Sequence, residues 1–476
     1  MNYADEKIRG LFDAKAEELK QRILNAKSEY PRNAKIIYVS NNGDDNNNGE
    51  TPETAIATLG KLNAMQVDPG QVVLFERGGL WRGILYARTC VTYSAYGEGE
   101  KPKLLGRGGT AEGKESWEKT DVPNVWVMTR EIADDVGNIL FDGKYYSRKR
   151  FSAFEKELPD GRKEWTRPDG VGPYNGLSDL NENLQFHHDK SDNKVYLYCD
   201  KGNPGEVYKT AEVVCKGHCI QLTNGCTIDN ICAMYSGSHA MGGGAAVKVT
   251  VRNCEIAWCG GSFLADTTLY GNAVELYGNC DGFYVTDNYI HDIYDTGITH
   301  QYWSTTVPAY MHDCRYERNL IEYCYWNIEY VARGDYSDNN RMSEIYIRDN
   351  ILRHAGEGWG TVRAGGGKTG AHIKGWPIES PADNIYISGN IFDRSSSYLI
   401  DCGMSDEKYM PVLEGNTYIQ YDSNPWGYCG LNDPQGRKRD CGDQYGGSCL
   451  FFNDDLEKAL AEKVKEKSAV VYAVKD

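Results

Sequence analysis

The stretch IRDNILRHA, residues 347–355, decides the fold, because similar segments recur through the second half of the chain. Each copy has an apolar strand-like segment, then an asparagine, then alternating apolar positions. The shared asparagines lie 23 to 40 residues apart: Asn230, Asn253, Asn288, Asn319, Asn350, Asn390 and Asn416. Self-similarity at a period of about 20–50 residues is the signature of a repeat protein.

The composition of the repeats indicates which kind of solenoid they form. Strict alternation and a high content of Val, Ile and Tyr favour strands over helices. Each unit holds two or three short strands, whereas a β-propeller blade needs four. Asparagine suits a tight turn, and stacked asparagine amides can hydrogen-bond from one turn of the solenoid, or rung, to the next. We therefore predict an all-β fold: a single-stranded right-handed parallel β-helix with N-terminal and C-terminal covering helices.

The segments outside the repeats predict how the solenoid begins and ends. An apolar stripe at helical spacing near the N-terminus predicts an amphipathic helix that covers the open first rung. We expect five segments along the chain. They are a helical cap (1–34), the first rungs (35–141), an excursion beside the solenoid (142–212), the central rungs with the functional site (213–425), and a connector with a covering helix (426–476).

Length and charge narrow the possible functions. A solenoid accommodates 476 residues because each repeat buries its core against its neighbours. The formal net charge of -16 argues against nucleic-acid binding and weakly against a polyanionic substrate. No stretch approaches the roughly 18–20 apolar residues that cross a bilayer, so we expect a soluble protein without membrane contact. The N-terminus has no apolar segment typical of a signal peptide, which predicts a bacterial cytoplasmic location.

The fifteen cysteines are scattered and show no paired spacing typical of metal ligands. No metal or other cofactor is therefore expected. Six cysteines fall at or near apolar positions of the repeats, and we interpret them as stacked core residues: Cys226, Cys232, Cys254, Cys259, Cys314 and Cys324. In a reducing compartment such side chains behave as small buried hydrophobes.

Several segments resemble those of known β-helix enzymes. They are YVSNNGDDNNNGETPETAIATLGKLN (38–63), VYLYCDKGNPGE (195–206), YGNAVELYG (270–278) and NYIHDIYDTGITHQ (288–301). Over about residues 35–420 the chain resembles carbohydrate-active enzymes of the pectate-lyase-like superfold. The closest types are β-helix glycoside hydrolases such as lacto-N-biosidases, β-xylosidases and fucosidases. The resemblance implies a carbohydrate ligand, but this superfold hosts several chemistries, so the function must be argued from the site.

Three strands that follow successive asparagines align on their apolar residues. In that register Glu275 and Glu329 lie in one outward column two rungs apart, with Asp295 at the foot of the strand between them. The Cα atoms of Glu275 and Glu329 would then be about 9–10 Å apart, because neighbouring strands are about 4.8 Å apart. Glycoside hydrolysis needs two carboxyl groups, about 5–5.5 Å apart in retaining and about 6.5–9.5 Å apart in inverting enzymes. Asp295, Glu275 and Glu329 are the candidate catalytic residues, and the sequence leaves their pairing open.

Polar and aromatic residues near this column are candidates for substrate binding. Aromatic faces suit sugar rings, and polar groups orient the hydroxyls. The candidates are His300, Gln301, Trp303, Trp326, Trp359, Arg363, Asp401 and, on an inserted loop, Asp266.

The leading hypothesis is a glycoside hydrolase that cleaves a glycosidic bond in an oligosaccharide. The first alternative is a polysaccharide lyase or uronate epimerase, which needs a base and positive charge beside a substrate carboxylate. Lys374, Arg363, Arg333 and His300 supply groups of that kind, whereas the acidic total charge disfavours this alternative. The second alternative is a non-catalytic carbohydrate-binding solenoid, which would need no paired acids.

Overall fold

Three ten-stranded sheets run along the molecule and together form a parallel β-helix. The structure is a computed structural model that describes residues 2–475 except 153–155, 158, 165–170, 265–267, 304–307, 309, 334–340, 365–369, 379–381, 405 and 432–448. Each rung contributes one strand to sheet 1, then one to sheet 2, then one to sheet 3. The predicted fold class, an all-β parallel solenoid, is confirmed.

The strand bounds of the three sheets are as follows. Sheet 1 contains Ile36–Val39, Val72–Glu76, Thr92–Tyr96, Thr227–Asp229, Ala246–Arg252, Cys280–Thr286, Tyr310–Glu317, Arg341–Arg348, Ala382–Ser388 and Val412–Glu414. Sheet 2 contains Leu80–Arg82, Lys103–Leu105, Cys232–Met234, Glu255–Cys259, Tyr289–Ile293, Leu320–Glu322, Ile351–Ala355, Ile391–Ser395, Thr417–Tyr421 and Val470–Val474. Sheet 3 contains Leu85–Tyr86, Ile220–Gln221, Met241–Gly243, Val274–Tyr277, Thr296–Trp303, Trp326–Arg333, Ala371–Ile378, Tyr398–Met404, Pro425–Leu431 and Leu450–Phe451.

Five of the repeated asparagines occupy the corner between sheet 1 and sheet 2 and form a buried ladder: Asn288, Asn319, Asn350, Asn390 and Asn416. Asn230 and Asn253 lie one position earlier in their rungs and take the left-handed backbone conformation themselves, with φ of 59° and 53°. Asn319 donates from Nδ2 to Oδ1 of Asn350 at 3.0 Å, and Asn350 donates in the same way to Asn390 at 2.9 Å. The ladder ends at the Glu466 carboxylate, which accepts from Asn416 at 3.0 Å. In these later rungs the residue before the asparagine takes the left-handed backbone conformation, as at Asp349 with φ 54°. The asparagine amide therefore serves the ladder, which pairs polar groups that burial would otherwise leave unsatisfied.

The interior of the solenoid is filled by inward-facing side chains of all three sheets. It is one continuous apolar cluster that runs from the first rung to the last. The six cysteines that we interpreted as core residues are all fully buried in the structure: Cys226, Cys232, Cys254, Cys259, Cys314 and Cys324.

The N-terminal helix, Glu6–Leu24, does not cover the first rung, so that expectation is wrong. It lies along the outer face of sheet 2, where its buried residues Ala16 and Ile23 pack against apolar side chains of several rungs. Those rungs present Tyr289, Leu320 and Ile351 outward at equivalent positions. The helix therefore covers an apolar stripe on the flank of the solenoid. The open first rung is covered instead by the short helix Leu59–Ala64, whose Leu59 and Leu62 join the core.

The insertion beside the solenoid begins earlier than the sequence suggested. Strand Lys103–Leu105 pairs directly with Cys232–Met234, so residues 106–141 are not rungs as expected. Instead, the insertion forms a six-stranded, a three-stranded and a two-stranded sheet. Its strands are Trp117–Lys119, Val125–Met128, Val136–Phe141, Tyr145–Tyr146, Arg150–Ser152, Lys156–Glu157, Lys163–Glu164, Val171–Pro173, Phe186–Asp189, Lys194–Tyr198 and Ala211–Cys215, with the short helix Pro204–Val207. Its alternating strands resemble rungs locally, which explains the misplaced boundary.

The C-terminal segment closes the other end of the core. The helical turns Leu456–Ala459 and Leu460–Val464 bury their leucine and valine side chains in the solenoid interior. Among the described residues, no helix combines the length and the apolar character required to cross a membrane.

Candidate active site

A cleft of about 640 Å³ lies on the outward face of sheet 3. Ligand pockets in proteins usually measure about 300–1,000 Å³, so its size suits a small-molecule ligand. Five successive rungs form its floor, and the hairpin Ser262–Phe263 with Leu269–Tyr270 forms one wall. The lining residues are His218, Gln221, His239, Gly243, Gly244, Leu264, Thr268, Leu269, Tyr270, Asn272, Glu275, Tyr277, Asp295, Gln301, Glu329 and Arg363.

The register of the central strands is the one that the sequence predicted. Glu275 pairs with Thr299 and Thr299 with Glu329, so these three residues form one outward column. The neighbouring residues Val274 and Ile298 face inward and are fully buried. The side-chain alternation of strands therefore brings Glu275 and Glu329 to the same cleft.

Glu275 lies in an environment that favours the protonated carboxyl group. Its side chain is only 8 % exposed, and burial raises its pKa to about 7. The hydrogen bond from Asn272 lowers this pKa, and the charge of Asp295 raises it. A carboxylic acid of this kind remains partly protonated near neutral pH and can act as a general acid.

Asp295 lies in the same cleft beside a partly buried cation. Nη1 of Arg363 is 3.3 Å from Oδ1 of Asp295. Burial disfavours the charge on Arg363, but the charges of Asp295 and Glu329 outweigh it and raise the pKa of the guanidinium. Arg363 also stacks over the ring of Trp326 at 4.7 Å, which fixes the guanidinium plane. The ion pair favours an ionised Asp295.

Glu329 is held by neutral hydrogen-bond donors. Its Oε2 accepts from Nε2 of Gln301 at 2.9 Å and from Oγ1 of Thr296 at 3.2 Å. The same Thr296 hydroxyl lies 3.5 Å from Oδ1 of Asp295. Because both oxygens neighbour one hydroxyl, they lie at most about 7 Å apart, so they are no farther apart than the carboxyl groups of glycosidase pairs.

Two histidines from the preceding rungs form the wall beside Glu275. The rings of His218 and His239 stack with their centroids 5.3 Å apart. Burial lowers the pKa of His239 to about 3, and burial together with the neighbouring His239 lowers the pKa of His218 to about 4, so both imidazoles are neutral. Gly242 makes room for them, because a Cβ there would lie 3.0 Å from His218 and 3.2 Å from His239.

The insertion holds the hairpin wall in place. Asp135 forms an ion pair with Arg150 and accepts the backbone N–H of Phe263 at 2.9 Å. Burial raises the pKa of Asp135, but the charge of Arg150 and the hydrogen bonds outweigh it and lower the pKa well below its usual range. The carboxylate therefore stays charged and links the insertion to the cleft.

Several of the predicted binding residues lie elsewhere. His300 is fully buried inside the solenoid and hydrogen-bonds Tyr316, because its neighbour Thr299 takes the outward position. Trp359 is 1 % exposed and packs between the insertion and the solenoid. Asp401 lies farther along the outward column, where it is buried in an ion pair with Lys374 rather than lining the cleft.

The other predicted binding residues fall into three groups. Gln301 and Arg363 line the cleft as expected. Trp326 is buried beneath Arg363 and supports it rather than lining the cleft. Asp266 and the side chain of Trp303 lie outside the described residues.

Sequence reasoning missed several residues that line the cleft. They are His218, His239, Tyr270, Asn272 and Tyr277. Most of them come from turns that carry no repeat pattern. The available signal was the run of three glycines at 242–244, since the middle of a strand favours glycine only where something approaches closely.

Comparisons with known proteins concern the fold alone. No family model matches the chain, and no curated protein matches it at a significant level. A solved structure titled "Glycoside hydrolase" is 12% identical, with 93% of this chain and 96% of that chain covered and a TM-score of 0.49. The complex of XylC with xylose is 10% identical, with coverages of 92% and 84% and a TM-score of 0.38. The GH136 lacto-N-biosidase from Eubacterium ramulus is 12% identical, with coverages of 98% and 71% and a TM-score of 0.36. The solved structures similar to this chain thus include glycoside hydrolases.

Proposed function

We propose that this protein is a glycoside hydrolase that cleaves a glycosidic bond in an oligosaccharide. The observation that carries the proposal is that two carboxyl groups in one cleft have opposite surroundings, since Glu275 is buried and Asp295 lies beside a cation. Glu275 is buried with a pKa of about 7, whereas Asp295 lies 3.3 Å from the guanidinium of Arg363. Glycoside hydrolysis requires this division of protonation states.

The roles of the carboxyl groups follow from their surroundings. Glu275 donates its proton to the glycosidic oxygen as the bond to the anomeric carbon breaks. The Asp295 carboxylate faces the positive charge that develops at that carbon. Water supplies the hydroxyl of the new reducing end, and its remaining proton is taken up by the cleft carboxylates and restores Glu275 to its acid form. Glu329 has a positioning role, because it fixes Thr296 and adds to the field that keeps Arg363 charged.

The charges around the cleft favour hydrolysis over lyase or epimerase chemistry. Those reactions need positive charge available to a substrate carboxylate. Among the described residues near the cleft, Arg363 is paired with Asp295, and Lys374 is paired with Asp401. The two histidines of the wall are neutral. A neutral sugar therefore fits this cleft better than a uronate.

The test is an assay against a panel of neutral oligosaccharides and uronate polymers. New reducing ends and the ultraviolet absorbance of unsaturated sugars are followed in parallel. We expect reducing ends without unsaturated products, and we expect both Glu275→Gln and Asp295→Asn to abolish them. Glu118→Gln, an exposed carboxylate of the insertion, is the matched control and keeps activity. Unsaturated products, or full activity in the two cleft variants, would overturn the proposal.

A further inference from the structure

The wall beside Glu275 contains a contact that the roles above do not use. Nδ1 of His239 lies 3.2 Å from Oε2 of Glu275. The same Nδ1 accepts the backbone N–H of Asn272 at 3.0 Å. An imidazole nitrogen that accepts a hydrogen bond carries no proton of its own. The contact between His239 and Glu275 is therefore not an ion pair between a charged imidazole and a carboxylate.

Two acceptor atoms at this distance repel each other unless one of them carries a proton. The lone pair of Nδ1 already accepts the Asn272 N–H, and Oε2 accepts from Nδ2 of Asn272, so the effect of Nδ1 on Glu275 is electrostatic. An unprotonated nitrogen beside Oε2 disfavours the carboxylate relative to the neutral acid. We propose that His239 is a positioning residue whose unprotonated Nδ1 disfavours the charged form of Glu275 and so keeps that carboxyl group in its acid form between turnovers. The inference rests on the proposed function for its role in catalysis, but the proton affinity of Glu275 is measurable without activity.

The surroundings of His239 keep its ring neutral and in place. His218 stacks on one face, and its Nδ1 lies 3.1 Å from the His239 carbonyl oxygen. The Tyr270 ring meets His239 edge-on at 5.0 Å, and its hydroxyl hydrogen-bonds Ser238 at 2.6 Å. The ring is therefore fixed before any substrate arrives.

The other ionisable groups around Glu275 do not supply this function. Asp295 faces it from the next rung, and Tyr270 faces it from the hairpin. His218 lies behind His239, and Arg363 and Glu329 lie beyond Asp295. His239 places an acceptor atom 3.2 Å from a Glu275 oxygen.

Replacing His239 with leucine tests the inference because leucine keeps the apolar volume and removes the acceptor. The freed N–H of Asn272 then becomes available to the carboxylate, which strengthens the effect in the same direction. We expect the alkaline limb of the pH profile of kcat/KM to move down by about one pH unit, a tenfold loss of proton affinity. His239→Asn retains an amide oxygen acceptor near Nδ1 and is expected to keep the limb near its wild-type position.

The outcomes separate this inference from the proposed function. A His239→Leu variant that loses kcat/KM equally at every pH, with an unmoved limb, would show a structural role only and overturn the inference. If the protein hydrolyses none of the panel, the proposed function fails. The proton affinity of Glu275 is then read from unfolding at pH 5 and pH 8. In each background we take the effect of Glu275→Gln on the free energy of unfolding and measure how much this effect changes between pH 5 and pH 8. The change should be smaller in the His239→Leu background than in the wild-type background. Equal changes would overturn the inference.

Discussion

Replacing Glu275 with glutamine removes one ionisable group and keeps the side-chain shape. In the folded protein burial raises the pKa of Glu275 to about 7, from a usual value of 4.5. Between these two values the folded state binds more protons than the unfolded state, so the free energy of unfolding falls as the pH rises. The stabilisation that Glu275 contributes to the folded state is complete below the pKa of the unfolded state and is lost as the pH passes the pKa of the folded state. Between pH 5 and pH 8 the wild type should lose about 2.5 kcal/mol relative to Glu275→Gln.

Urea unfolding of both proteins at the two pH values measures this difference. Other carboxyl groups are common to both proteins, so their contributions largely cancel. Glu118→Gln is the control, because the Glu118 carboxylate is exposed. The difference in the free energy of unfolding between this variant and wild type should be the same at pH 5 and at pH 8. A difference between wild type and Glu275→Gln that is equal at both pH values would refute the assignment of Glu275 as a buried acid.

Three further variants test other parts of the structure. Asp295→Asn should lower kcat/KM by about 10³-fold or more, because it removes the charge that faces the anomeric carbon, and an unchanged rate would exclude that role. Gly242→Ala should lower the free energy of unfolding by about 1–2 kcal/mol because its Cβ crowds two imidazoles. Gly244→Ala is the matched control, since the nearest atom to its Cβ is 4.0 Å away, and equal losses in chemical denaturation would contradict the crowding. Asn350→Ala should cost about 3 kcal/mol in the same assay, because it removes the acceptor of the Asn319 backbone N–H and of one Asn319 Nδ2 hydrogen, and a loss below 1 kcal/mol would contradict the ladder.

The sequence predicted those features that depend on periodicity. The alignment of apolar residues in three strands placed Glu275 and Glu329 in one column, and the structure has the same register. The same alternation places His300 inside, because Thr299 faces outward, so its assignment to the site contradicted the pattern that located the site. The alternation of side chains along a strand therefore predicts which way a residue faces better than its chemical type does.

Features that depend on contacts between distant segments were harder to predict. The apolar stripe of the N-terminal helix indicated a buried face but not the surface that it covers. The outward residues Tyr289, Leu320 and Ile351 recur at one position after the asparagine, and this recurrence identifies the surface in retrospect. The histidine wall comes from turns without a repeat, so only the structure brings His239 to Glu275.

The central claim is that Glu275 is the general acid of a glycoside hydrolase. The most direct test compares wild type and Glu275→Gln on two substrates that share the sugar identified by the panel. One carries a natural sugar leaving group, and the other a nitrophenol that departs without protonation. We predict a loss of kcat/KM of about 10²–10⁴-fold on the natural substrate and little loss on the nitrophenyl glycoside. Equal losses on both substrates would contradict the account.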